Sequence, residues 1–355
     1  MDIYYYIFII SFVLCIFDFI KVKSLRLVPY LFFVLFLVFF VSNRQPGVDN
    51  DSLMYEQMFD LYRKSTLKEI WIGGYGYMEK GYVLFNKIIG EFGGGYEVIF
   101  LIMALLITLF NNLFIIKRSP YPYISLLFYM SFYFLYRDFT QIRYALSCAI
   151  AFWVVYLYIK KQYRWMVLFL ILSISFHNAA TILIPSLLVI HFIKIEKVLF
   201  LLPLPAILIG FSINLMPILI LSGLANEHMT TYLDEDGSGG LVVSIIGYFV
   251  MLLYYFVNYI PKKRINIGKE ELVYFKLLSF SVILNFMFIQ SAIFQRFTLL
   301  LFQFSVLLLP IFLCKMKIIF ERKETFILLY FLFACFLLFY GIRMIDSNIV
   351  RPYRF

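Results

Sequence analysis

Long apolar runs alternate with short polar gaps along this chain, and the gaps alternate in kind. The runs fall at roughly 3–20, 25–42, 97–116, 121–136, 143–159, 165–176, 178–193, 198–222, 241–260, 272–293, 297–313 and 325–342. A helix of about 20 mostly apolar residues spans the hydrocarbon of a bilayer. The pattern therefore predicts an all-α fold: one polytopic transmembrane helix bundle of about 12 spans, forming a single integral membrane domain over 1–355. The short runs 121–136 and 165–176 read as tilted, broken or re-entrant segments. Such backbone survives at membrane depth only where protein or a water-filled cavity covers it.

One set of gaps collects the basic residues: Lys21, Lys23 and Arg26; Lys117 and Arg118; Lys160, Lys161 and Arg164; Lys194 and Lys197; Lys262, Lys263, Arg264 and Lys269; Lys315, Lys317, Arg322 and Lys323. The positive-inside rule assigns this set to the cytoplasm. The other set holds Arg44-Gln45-Pro46-Gly47-Val48-Asp49, Arg137-Asp138, Gln141-Ile142-Arg143, Phe176-His177-Asn178, Gln295-Arg296 and Arg351-Pro352-Tyr353. The 223–240 loop belongs with it, having no Lys or Arg and the acids Glu227, Asp234, Glu235 and Asp236. Both termini and the long loop of about 43–96 are then expected outside. Within that loop Met54, Tyr55, Met58, Phe59 and Tyr62 recur at helical spacing. They predict a short amphipathic helix capped by Asp51 or Ser52, its apolar face in the membrane interface. A second such piece is expected from Gly81 to Ile89, with Gly73-Gly74 and Gly93-Gly94-Gly95 as breakers.

Composition narrows the class. Of 355 residues, 63% are hydrophobic and 15% charged, against about half and a quarter in soluble domains. The net charge of +10 would suggest nucleic acid in a soluble protein. Here the basic residues sit in loops and set orientation, so no nucleic acid partner is expected. Cys15, Cys148, Cys314 and Cys335 lie in or beside apolar runs and read as small hydrophobes without metal spacing. The N-terminus has no basic n-region and no cleavage site, and reads as a first span.

Chemistry is expected where ionisable groups meet the bilayer. Arg143 sits just inside a span, and positions 137, 141, 144 and 148 share a helical face. Arg143 reads either as an anion site, because guanidinium grips phosphate with two prongs, or as a side chain snorkelling or paired with Asp138. His177 breaks a helix beside Asn178, and is either a phosphate donor, an acid or base, or a satisfied buried histidine. Arg296 follows Gln295 at a span boundary without an acidic neighbour in sequence. Asp49 and Asp51 bracket Asn50, and Glu79 adds a carboxylate in the same loop that on its own reads as a solvated charge. No nucleophile elbow, phosphate loop, zinc spacing or dinucleotide fingerprint occurs, so no cofactor is implied.

These positions together carry a resemblance. Arg44-Gln45-Pro46-Gly47-Val48-Asp49-Asn50-Asp51 followed by Tyr55 and Phe59, then Glu79-Lys80-Gly81-Tyr82, Gln141-Ile142-Arg143 with Ala145, Ser175-Phe176-His177-Asn178-Ala179-Ala180, Arg296 and Pro352-Tyr353 occur in order along nearly the whole chain. In this the chain resembles the EpsG/Wzy group of polysaccharide repeat-unit polymerases. It departs at Asn178-Ala179, where Ser-Ala after an intervening residue is the expected form.

The resemblance implies a glycosyltransferase at the outer face of a bacterial cytoplasmic membrane, polymerising undecaprenyl-diphosphate-linked oligosaccharide units for O-antigen, capsule or exopolysaccharide. It implies the bilayer and that lipid-linked oligosaccharide as partners, with a chain-length regulator and a flippase as further candidates. Arg44, Arg143 and Arg296 are the expected diphosphate ligands. Asp49, Asp51, Glu79 and His177 are the expected catalytic groups, with a first-loop acid favoured as base. Gln141, Tyr144, Asn178 and Gln295 are the expected substrate contacts, and Trp71 is a candidate for stacking on sugar. No metal is called for. The competing readings are a lipid-linked oligosaccharide flippase or transporter, and a glycan ligase.

Overall fold

The computed structural model describes every residue except 74–77, 193–195, 216, 218–239, 260–266, 292–293, 320–321 and 355. The acidic loop expected at 223–240 lies, up to residue 239, outside the described residues. In chain order the helices are α1 Asp2–Leu14, α2 Lys23–Ser42, α3 Ser52–Tyr62, α4 Leu67–Ile72, α5 Lys80–Glu91, α6 Tyr96–Arg118, α7 Pro122–Tyr129, α8 Ile142–Ile159 and α9 Tyr163–Phe176. They continue as α10 Leu183–Phe192, α11 Glu196–Leu201, α12 Pro203–Ser212, α13 Leu241–Tyr259, α14 Lys269–Met287, α15 Gln295–Phe302, α16 Ser305–Ile319 and α17 Lys323–Arg343. α1 runs on as a 3₁₀ turn over Cys15–Phe19, and α7 as a π-helix over Met130–Thr140. The only β pairing among the described residues is a single bridge between Asp49 and Val350.

Among the described residues, seven helical segments are long and apolar enough to cross a membrane: Asp2–Phe19, Lys23–Ser42, Tyr96–Arg118, Ile142–Ile159, Leu241–Asn258, Gln295–Ile319 and Lys323–Arg343. Tyr163–Phe176, Asn178–Phe192 and Val198–Ser212 are shorter apolar helices. Length and apolarity alone thus support seven of the roughly 12 expected crossings. Two other expected spans, 121–136 and 272–293, fall on longer or shifted helical segments that take in charge: 122–140 runs on through Arg137 and Asp138, and α14 begins with Lys269, Glu270 and Glu271 and holds Lys276.

The chain forms two compact units, one of Met1–Ala180 with Arg322–Phe355 and one of Thr181–Glu321. In the first unit α8 is buried along nearly its whole length, from Ile142 to Leu157. A helix apolar on every side suits such a central place. α2 and α17 show outward stripes instead, with Phe32, Leu35 and Phe39 on one and Leu328, Leu332, Phe336 and Phe339 on the other exposed. Those stripes are chemically matched to lipid.

The two kinds of gap separate in space within this unit. Lys23, Arg26 and Lys117 line one cavity. Lys117 lies 5.4 Å from the Trp153 ring, while Arg118 and Lys160 lie 4.2 and 5.5 Å from the Tyr156 ring. The basic gaps 21–26, 117–118 and 160–161 therefore share one end of the helices. At that end Asp18 caps α7, accepting from the Tyr123 and Ile124 N–H groups at 3.1 and 3.0 Å and from the Tyr330 hydroxyl at 2.7 Å. The gaps at 44–49, 137–143 and 176–178 and the segment after α17 gather at the other end.

In the second unit α14 is the hub. Gly210 of α12 packs directly on the Phe286 carbonyl, leaving no room for a Cβ. Lys315 donates to Glu271 at 2.5 Å and to Asn258 at 2.6 Å, tying α16, α14 and α13 together. Both charges are buried, which holds only because each meets an opposite charge and further hydrogen bonds.

Candidate functional site

The site grows from the loop after α2. Arg44 Nε donates to Asp49 Oδ2 at 2.7 Å, and both side chains are fully buried. A second Arg44 nitrogen donates to the Val41 carbonyl at 2.5 Å, and the guanidinium lies 4.5 Å from the Phe100 ring and 5.0 Å from the Phe139 ring. Asp49 Oδ1 accepts from the backbone N–H groups of Asp51 at 3.0 Å and Ser52 at 2.9 Å. The side chain that caps α3 is therefore Asp49, where the sequence pointed to Asp51 or Ser52. Asp51 stands at the cap position without a capping bond from its own side chain. The Ser52 hydroxyl accepts from the Gly47 N–H at 2.9 Å, and Gly47, at φ +89°, makes the turn that lets the loop double back.

The segment after α17 closes this corner. Arg351 N–H donates to the Val48 carbonyl at 2.7 Å and Gln45 N–H to the Arg354 carbonyl at 3.0 Å. Tyr353 stacks on Phe40 with centroids 4.3 Å apart and donates to the Phe40 carbonyl at 2.8 Å.

α3 then presents Tyr55, Phe59 and Tyr62 inward. Its apolar face is buried against protein, and the expected interfacial placement of that face gives way to packing. The Tyr82 ring of α5 meets Tyr55 at 5.7 Å and Tyr62 at 6.3 Å. Beneath Tyr55 and Tyr82 lies Arg143 at the start of α8, its guanidinium 5.9 and 5.7 Å from the two rings. Arg143 donates to Glu79 Oε2 in a short charge-assisted contact. Glu79 sits just before α5, and its Oε1 accepts the Asn178 N–H at 3.1 Å. One carboxylate thus joins the long loop, α8 and the break after α9. Burial pushes the Tyr55 hydroxyl up to about 12 against the pull of Arg143. Burial drives Tyr82 further in the same direction. Both phenols therefore stay protonated at neutral pH and keep their rings over the guanidinium.

Gly81 allows this junction to close. A Cβ there would stand 2.5 Å from both the carbonyl and the hydroxyl oxygen of Ser175, so α5 rests on the last turn of α9. Helix α9 stops at Phe176, and His177 is extended at φ −160°, ψ 130°. His177 Nδ1 accepts the Ala179 N–H at 3.1 Å, which puts the proton of the neutral ring on Nε2. The His177 ring lies 5.0 Å from that of Tyr144, which is buried. Asn178 is exposed, and Gln141 is half-buried just before α8.

A third buried pair adjoins the first two. The π-helix places Arg137 and Asp138 inward, with Arg137 1% exposed. Arg137 contacts Asp138 at 3.4 Å and lies 5.2, 4.2 and 6.0 Å from the Tyr129, Tyr133 and Tyr144 rings. Tyr129 donates to Asp138 at 2.5 Å. π-helical turns are uncommon and recur at functional sites.

The expected residues Arg44, Asp49, Glu79, Arg143, Tyr144, His177 and Asn178 thus share one end of the first unit, with Asp51 and Gln141 at its margin. Gln295 and Arg296 open α15 of the second unit, where both are half-buried. There Thr298 donates to Asn285 at 2.5 Å and to the Gln295 carbonyl at 3.0 Å. Trp71 is exposed on α4, with the Lys80 ammonium 5.3 Å from its ring. The pairing of Glu79 with Arg143 and the Arg137 tyrosine cage were not read from sequence. The one local signal for the former was glycine two residues after glutamate, at Glu79-Lys80-Gly81. Among the described residues no group of histidine, cysteine and acidic side chains is placed to hold a metal ion.

Compared with known proteins, the chain matches the family model described as the EpsG family over residues 27–355. No curated protein and no solved structure matches it.

Proposed function

The chain belongs to the EpsG family, and on that basis we propose that it is a membrane glycosyltransferase that polymerises lipid-linked oligosaccharide units. The observation that carries this reading is the Glu79 carboxylate bound at once to Arg143 and to the Asn178 N–H, at the helix ends opposite the Lys and Arg clusters. The positive-inside rule then turns this end outward from the cytoplasmic membrane.

In the proposed reaction Arg143 receives the diphosphate of the donor, undecaprenyl-diphosphate-linked glycan. Its side chain keeps 10% of its surface exposed, whereas Arg44 is sealed against Asp49 and holds the loop. As Arg143 turns to the diphosphate, Glu79 Oε2 is released. Glu79 then takes the proton of the acceptor sugar hydroxyl, whose oxygen attacks the anomeric carbon of the donor. The bond from that carbon to the diphosphate oxygen breaks, and the leaving charge falls on Arg143. Preorganised donors aimed at developing charge contribute several kcal/mol in such sites, on the order of 3–4 per donor. His177, with its proton on Nε2, is proposed to contact phosphate or sugar, and Asn178, Gln141 and Tyr144 to line the sugar path. Arg296 is a further candidate diphosphate ligand, and Arg296→Ala should abolish elongation while leaving membrane insertion intact.

The test is chain growth in proteoliposomes containing the full chain and a purified lipid-linked repeat unit. Elongation is expected, and it should vanish in Glu79→Gln and Arg143→Ala. A correctly folded protein that never lengthens the glycan removes the polymerase reading. Translocation of the lipid-linked unit without bond formation would favour the flippase instead.

A further inference from the structure

At the opposite end of the first unit, a cavity of about 270 Å³ opens between the first turn of α2 and the last turn of α6. Lys23, Arg26 and Lys117 line it together with Leu27, Tyr30, Ile116 and Pro122. We propose that this cavity is a binding site for the phosphate-bearing headgroup of an anionic phospholipid, a role separate from the polymerase reaction.

Four observations converge on that ligand. First, three cations from two helices face one space, and among the described residues no carboxylate lies within ion-pair distance of any of them, Asp18 acting on Arg26 only from further off. The nearby Asp18 has its oxygens taken by Tyr123, Ile124 and Tyr330. Second, α2 has no acidic residue in its first turn and no side chain capping its N-terminus, so its N–H groups and dipole add to the positive field. Third, the walls are shaped by fixed groups. Tyr30 is buried and donates to Asn112 at 2.7 Å, and the Tyr123 hydroxyl donates to the Arg26 carbonyl at 2.5 Å. Fourth, Leu27, Ile116 and Pro122 give the cavity apolar sides, and Leu31, about a quarter turn round α2 from the lining positions, is exposed. A cation cluster set among apolar walls suits a headgroup with its acyl chains attached. A free phosphate would leave those walls unused. Basic pockets between spans on the cytoplasmic side bind lipid headgroups in this way.

The experiment is native mass spectrometry of the full-length chain released from micelles holding phosphatidylglycerol or phosphatidylcholine. One retained phosphatidylglycerol per chain is expected, with phosphatidylcholine lost. Each cation at a membrane surface is worth about 5-fold in binding, so Arg26→Gln with Lys117→Gln should cut retention by roughly 25-fold. Lys160→Gln with Lys161→Gln removes the same charge outside the cavity and should change retention little. Equal losses from the two pairs would mean diffuse attraction and overturn the site. Ile116→Trp fills the cavity and keeps every charge, so it too should expel the lipid. Retention in that variant overturns the proposal even if the charge variants fold poorly. Displacement of the lipid by millimolar inorganic phosphate would overturn the lipid assignment. Glycan polymerisation is read separately, so failure here leaves the reaction mechanism standing.

Discussion

Glu79 and Arg143 lie 64 residues apart in sequence and meet in a buried contact. Removing one member of such a pair strands a charge, at a cost of about 3–5 kcal/mol, whereas replacing both with apolar groups is often neutral. Arg143→Ala and Glu79→Ala should each destabilise by that amount, and Glu79→Met with Arg143→Met should recover most of it while remaining inactive. Denaturant or thermal unfolding measures the stabilities, and the glycan assay measures activity. Full recovery of activity in the double variant would show that the pair is only structural. Arg143→Lys is expected to rescue poorly, because a compact ammonium loses the two-pronged phosphate contact of the planar guanidinium. At Gly81 the prediction is steric. Alanine places a methyl group 2.5 Å from a backbone carbonyl that cannot rotate away. α5 must lift from α9, at about 1–3 kcal/mol of overpacking, carrying Glu79 out of place. Activity should fall at least tenfold with the protein still inserted.

Among elements, the segment after α17 and the π-helix have the clearest consequences. Residues 346–354 seal the Arg44–Asp49 corner through backbone bonds to Gln45 and Val48 and through the Tyr353 stack. Tyr353→Ala removes a stacked ring and one hydrogen bond and should cost about 2 kcal/mol. It should also leave the loop open to protease at 44–50, which limited proteolysis would detect. The π-helix adds residues to the turn that points Arg137 at Tyr129 and Tyr133. Deleting Leu135 rotates the helix downstream of the deletion by about 100°. That swings a buried guanidinium away from its cage, and the variant should lose folded protein. α4 is the contrast. It is short and mostly exposed, and it is held by a capping box between Thr66 and Glu69. Thr66→Ala should cost about 1 kcal/mol locally and leave polymerisation intact.

Across the first unit, basic loops and the candidate site occupy opposite helix ends. In a background without native cysteine, Asn178→Cys should react with a membrane-impermeant thiol reagent from the outside, and Lys161→Cys only after the membrane is opened. Labelling of both from one side would defeat the orientation on which the reaction depends. The distribution of buried charge fits the same division. Arg44, Arg137 and Arg143 each meet a carboxylate at the site end. Lys23, Arg26 and Lys117 stand at the other end around a cavity.

Hydrophobic period and charge placement were enough to read the helices, most of their boundaries and the grouping of polar gaps in the first unit, because bilayer length and the cost of charge in hydrocarbon act on local sequence. They also marked Arg143 and His177 as candidates, since ionisable groups at span ends are rare, whereas Glu79, inside the long loop, read as a solvated charge until the family resemblance raised it. Which cation meets which acid was beyond them. Arg143 chose Glu79 over Asp138, and Asp49 took both the Arg44 pair and the α3 cap, because partner choice depends on how helices pack and where a π-turn rotates a side chain. Those are distances between residues far apart in the chain, and only the folded arrangement fixes them.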